Sequence, residues 1–152
     1  MEIEYLIVAR YAEHIEGSGL SLIGGMVDHM GVEAFPYQFP ALHIAVRISL
    51  TQEEARLPHV LRLRIIGSDN EQILETDEFR PPPREVSAPF EYGHINLTVG
   101  FMGLVILHEG LLRVQLLYDA EQVKETRLWI ERKAQPGQAE LPLQVIPEGD
   151  VN

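Results

Sequence analysis

Residues 94–133 constrain the fold more than any other stretch, because three β-type runs follow one another with turn signals between them. Ile95, Leu97, Val99 and Phe101 alternate with His94, Asn96, Thr98 and Gly100, and the chain then reaches His108-Glu109-Gly110. Leu112, Val114, Leu116 and Tyr118 alternate with Arg113 and Gln115 up to Asp119-Ala120-Glu121. Leu128 and Ile130 alternate with Arg127, Glu131 and Arg132. A period of two sends side chains to opposite faces of a sheet, so these runs predict a meander with one buried face.

The remainder reads the same way. Ile3 to His14 carries apolar residues on both phases, which predicts an interior strand or one covered on both sides. A second strand is predicted from Leu20 to Met30, with a bulge or sharp bend at Gly24-Gly25. Phe35-Pro36-Tyr37-Gln38-Phe39-Pro40 predicts an extended loop with an apolar surface, since proline breaks an inner ladder. Leu42, Ile44, Val46, Ile48 and Leu50 form the cleanest alternation of the chain. Thr51 and Glu54 then have capping-box spacing and predict one helical turn, closed by Pro58. Leu61, Leu63 and Ile65 resume the strand pattern, Ile73-Leu74 begins a shorter strand, and Arg80-Pro81-Pro82-Pro83-Arg84 reads as a stiff crossover between two sheets.

Seven or eight short strands with almost no helix predict an all-β fold, an antiparallel sandwich of Ig-like or jelly-roll type, with a small barrel as the alternative. The sandwich domain is assigned to residues 1–134. Residues 135–152 form a proline-containing tail, docked or disordered, and the aliphatic residues Leu141, Leu143, Val145 and Ile146 favour docking.

The chain has 152 residues, enough for one core without staples. It has no cysteine, which removes disulfides, thiolate metal sites and cysteine nucleophiles. Its net charge of −11 would repel a polyanion, so nucleic acid is not an expected partner. The apolar run Phe101 to Leu107 falls far short of a membrane span of about 20 residues. The acidic start Met1-Glu2-Ile3-Glu4 lacks the basic flank of a signal peptide, and a cytoplasmic location is expected.

Several segments, in order, resemble a family of small, uncharacterised bacterial β-sandwich proteins known as a numbered domain of unknown function. They are Tyr5-Leu6-Ile7-Val8-Ala9-Arg10-Tyr11-Ala12-Glu13, Leu20-Ser21-Leu22-Ile23-Gly24-Gly25, the Phe-Pro loop and the Leu42–Leu50 strand. His59-Val60-Leu61-Arg62-Leu63 and the Gly110–Tyr118 strand follow, so the resemblance covers most of residues 3–133. It implies a sandwich fold and a bacterial, intracellular setting, and brings no activity onto any residue.

None of the six histidines shows metal-ligand spacing, and no metal or other cofactor is expected. His43 and His59 take the outward phase of their strands. No serine sits in a nucleophile elbow; Asp69, Glu71, Asp77 and Glu78 offer hard oxygens for a sandwich-loop calcium site, but hairpin-turn chemistry explains Asp69-Asn70 without an ion and is the reading preferred. Arg47, Arg62, Arg64 and Arg113 fall on outward phases, either as an anion-binding face or, the plainer reading, as cross-strand partners of glutamates. Trp129 takes the outward phase of its strand beside Arg127, where it would anchor an interface or lie beneath the tail. Phe35, Tyr37 and Phe39 make a second apolar surface. The expected function is a non-enzymatic binding module that recognises a protein partner or copies of itself. The alternative is a small-ligand binder or a hydrolase with a loop-built site.

Overall fold

Alternation along the strands sorts the side chains of a computed structural model into two facing sheets; residues 1–16, 18–25, 28–86 and 91–134 are described. The first sheet has the order β2-β1-β5-β8, with β1 Glu2–Ile15, β2 Gly19–Gly25, β5 Ala41–Thr51 and β8 Tyr92–Met102. The second has the order β3-β11-β10-β6-β7, with β3 His29–Val32, β6 Leu61–Ile66, β7 Gln72–Glu75, β10 Gly110–Tyr118 and β11 Glu121–Arg132. Two short pieces, β4 Tyr37–Gln38 and β9 Val105–Ile106, pair with each other. Ile44, Val46 and Ile48 of β5 pack against Leu61, Leu63 and Ile65 of β6, Val114 and Leu116 of β10, and Leu128 and Ile130 of β11 in a single core. Leu97 and Val99 face the same core but are only partly buried, because β8 ends its sheet. The fold is therefore the all-β sandwich that periodicity predicts, not a closed barrel. No helix among the described residues is long and apolar enough to cross a membrane.

Three departures from the expected layout have physical causes. The runs in 94–133 are not one meander: β10 and β11 form a hairpin, whereas β8 pairs with β5 in the facing sheet. Gly103, at φ +71, turns the chain out of β8 and sends it across the sandwich through β9. The expected second strand is two strands, β2 beside β1 and β3 beside β11. The β3–β11 pair is parallel and makes β11 an interior strand. The Phe-Pro loop, finally, is tied down, since Phe39 N–H donates to Leu104 O (2.8 Å) and Gly103 N–H to Phe39 O (3.0 Å).

β1 does not run straight. Tyr5 Oη lies 3.4 Å from His14 Nε2, although nine residues of a straight strand would place them about 30 Å apart. The bend falls at Arg10, which the ladder with β2 skips, opposite Gly24 at φ +59. The β1–β2 hairpin thus folds back over the outer face of the first sheet. Ala9, Ala12 and Ala45 are buried in a second cluster with Tyr5, Leu20 and Leu22, their small side chains permitting the close approach. The apolar residues on both phases of β1 are accounted for by cover on both faces.

The helical turn α1, Gln52–Ala55, has the predicted capping box: Thr51 Oγ1 accepts from Glu54 N–H, and a Glu54 carboxylate oxygen accepts from Thr51 N–H at 2.9 Å. His59 corrects its expected outward position. It is buried just before β6, with Nε2 2.7 Å from Glu54 O and Nδ1 against Tyr118 Oη. A neutral ring with the proton on Nε2 satisfies both contacts, donating to the carbonyl and accepting from the phenol. The Arg80–Arg84 segment crosses between the sheets as predicted, from the bridge at Phe79 to β8.

Candidate functional site

One end of the sandwich gathers features that lie far apart in the sequence. The register brings the start of β5, the end of β8, the start of β10 and the end of β11 to this end, beside the β4–β9 pair. Between these elements the chain exposes large apolar side chains: Met102 is 76% exposed, Leu107 58%, Trp129 46% and Val105 44%. Leu111 stands directly opposite Trp129 in the β10–β11 ladder. Leu111, Val105 and Leu107 also line a cleft of about 190 Å³, with Ile106, Leu112 and Ile130 among its other apolar lining and Ser68, Asp69, Glu71 and His108 among its polar groups. A second cleft, of about 370 Å³, lies between Arg10, Tyr37 and Phe39 on one side and Met30 and Lys133 on the other. Lys133 Nζ is held 3.3 Å from Glu33.

Trp129 occupies the outward position its phase predicts, but on an interior strand, where its N–H donates to Asp28 O at 2.7 Å. Arg127 is exposed, with its Nε 3.0 Å from Glu125. Phe39 is a core residue and not a surface one, because the β4–β9 pairing turns it inward; its ring meets Tyr37 edge-on at 5.0 Å. Phe35 and Tyr37 are half-buried and pack against the same core. The end thus carries less of the Phe-Pro loop than expected and more of residues 102–107. That segment has no period to betray it; its only signal is an apolar run continuing past Gly103. Whether the tail covers Trp129 lies outside the described residues.

The four outward arginines do not share a face. Arg47 lies on β5 of the first sheet, whereas Arg62 and Arg64 of β6 and Arg113 of β10 lie on the second. Arg47, Arg62 and Arg64 have glutamate partners, as in the plainer reading, whereas Arg113 has an asparagine. Arg62 Nη1 and Arg64 Nε both reach Glu75, at 2.9 and 2.8 Å, and the Arg64 hydrogen bond above all holds that carboxyl below its usual range. Arg113 donates to Asn70 Oδ1.

A further group of titratable side chains lies on the outer face of the first sheet, and of its members the sequence singles out Arg47 alone. Glu4 accepts from Ser49 Oγ and lies 2.8 Å from Arg47 Nε and 3.2 Å from His94 Nε2, though the Arg47 Nε–H is not aligned on it. The Ser49 hydrogen bond, then Arg47 and His94, keep the Glu4 carboxyl low against the opposing effect of burial. Serine and histidine here both address the carboxylate rather than each other. Such an arrangement lacks the nucleophile–base contact of covalent catalysis and reads as a closed structural network. Among the described residues, no three His, Asp or Glu come together as a metal-binding group.

Residues 4–131 match the model of the family of unknown function DUF6941, and the chain belongs to that family. No curated protein matches the chain. Among solved structures, one similar chain is a glycosyl hydrolase family 2 member from Bacteroides cellulosilyticus DSM 14838, with 15% identity and a TM-score of 0.35. The match covers 59% of this chain and 12% of that one.

Proposed function

We propose that this protein is a non-enzymatic interaction module of a bacterial cytoplasmic system, and that it holds a protein partner against the end formed by residues 102–111 and Trp129. The observation that carries this reading is that one end of a strongly acidic chain exposes Val105 and Leu107 on a cleft they share with Leu111, Trp129 opposite Leu111 in the ladder, and Met102 at the end of β8. Exposed tryptophan and methionine are enriched where interfaces bury their centres, and a contiguous apolar patch left in water costs solubility unless it is covered. The bacterial and cytoplasmic parts rest on the family resemblance. The alternative, a small-ligand site, would use the cleft of about 370 Å³ between Tyr37 and Phe39 on one side and Met30 and Lys133 on the other, since the 190 Å³ cleft is smaller than the roughly 300–1,000 Å³ of ordinary ligand pockets.

In-cell photo-crosslinking tests the reading. A photoreactive residue at 107 or 129 should yield a discrete protein adduct, whereas one at Ile23, which is 63% exposed on the folded-back hairpin, should not. Absence of adducts at the rim, or equal adducts at all three positions, would refute it.

A further inference from the structure

The first sheet ends in a strand that carries none of the usual safeguards against pairing. β8 runs eleven residues, from Tyr92 to Met102, and among the described residues nothing pairs with its outer edge. Natural edge strands are kept from adding partners by shortness, charge, proline or bulges. The other edges follow that rule: β3 and β7 have four residues each, and β2 ends at the Gly24 bend. β8 contains no Lys, Arg, Asp, Glu or Pro.

We propose that β8 is a homodimer interface, pairing antiparallel with β8 of a second copy about a two-fold axis at Leu97. One observation permits a second copy as the occupant and another selects it. At a net charge of −11, copies of this chain repel one another, and an eleven-residue edge without formal charge lets two backbones meet without apposing like charges. The strand is also self-complementary about its own midpoint. Centring on Leu97 sets Ile95 opposite Val99 on the core side, Asn96 opposite Thr98 on the outer side, and His94 opposite Gly100. The core-facing side chains of Leu97, Val99 and Phe101, left only partly buried at the sandwich margin, would be covered, and the two four-stranded sheets would become one. This interface and the partner surface proposed above share Met102, but Asn96 and Leu97 lie midway along β8, away from that rim, so variants at 96 and 97 test the dimer without touching the partner surface.

Sedimentation velocity of the full chain from micromolar to millimolar concentration should show a monomer–dimer equilibrium. Asn96 is exposed, and its two copies would be diagonal neighbours across the axis. Asn96→Lys alone and Asn96→Glu alone should each weaken the dimer several-fold, and an equimolar mixture of the two should restore it. Because the chain has no cysteine, Leu97→Cys provides a register test: residues on the axis face each other at about 4.5–5.5 Å between Cα atoms, within disulfide reach. Leu97→Cys should oxidise to a covalent dimer, and Ile95→Cys should not. A chain that stays monomeric throughout, a dimer indifferent to charge at residue 96, or equal crosslinking at 95 and 97 would each overturn the proposal.

Discussion

The Tyr5 hydroxyl and the His14 imidazole, nine residues apart on β1, meet at 3.4 Å because the strand folds back on its own sheet. The meeting depends on the bend opposite Gly24, whose φ of +59 is costly for any residue with a Cβ, and a Cβ there would stand 3.1 Å from the Arg10 side chain. Gly24→Ala should destabilise the protein by about 1–2 kcal/mol in chemical denaturation. An unchanged midpoint would mean that the bend does not need this conformation.

Burial, and then the nearby Arg47 charge, push the His14 pKa below the ordinary histidine value of 6.5. The unfolded chain therefore takes up this proton more readily than the folded one, so the contribution of a neutral His14 is present above pH 6.5 and lost as pH falls through the lower folded value. An NMR titration should place the His14 midpoint below 6.5. His14→Gln should flatten the acid-side slope of stability; a midpoint at or above 6.5 would contradict the folded-back hairpin.

Glu54 titrates in a lower window. The Met1 ammonium at 2.6 Å, followed by the Thr51 amide, brings its carboxyl down from 4.5 to about 2. The stabilisation is complete above the unfolded value and disappears as pH falls from about 4.5 toward 2. Glu54→Gln should remove that part of the acid transition and fray α1, visible as faster amide exchange at residues 52–55. An identical acid profile would show that the cap and the amino group contribute nothing.

Val114 is fully buried where the two sheets face each other. Val114→Asp should prevent folding, because it leaves a carboxylate in an apolar core with no partner. A cooperative thermal transition in that variant would place Val114 outside the core.

Where the pattern is local, the structure could be read from residue order. Leu42–Leu50, Leu61–Ile65 and Gly110–Tyr118 each carry their own period of two, and each faces the core on the expected phase. Thr51 and Glu54 signalled α1 through a contact spanning only three residues. What remained hidden depends on distant partners. The sheet that β8 joins is decided by the route of residues 103–109, and the burial of Phe39 by its pairing with Leu104 and Gly103. The outward phase of Trp129 was legible, but its neighbour Leu111 comes to it only through the β10–β11 register. His59 was misplaced because Tyr118, 59 residues away, supplies its partner.

Titration calorimetry against the partner identified by crosslinking tests most directly the proposal that the rim formed by residues 102–111 and Trp129 holds a protein partner. Trp129→Ala should weaken binding by about 2 kcal/mol, more than tenfold, with the circular dichroism spectrum unchanged. Leu107→Asp should do the same, and Ile23→Asp should bind as the parent does. Parent-like affinity in both rim variants, or equal loss in Ile23→Asp, would contradict the account.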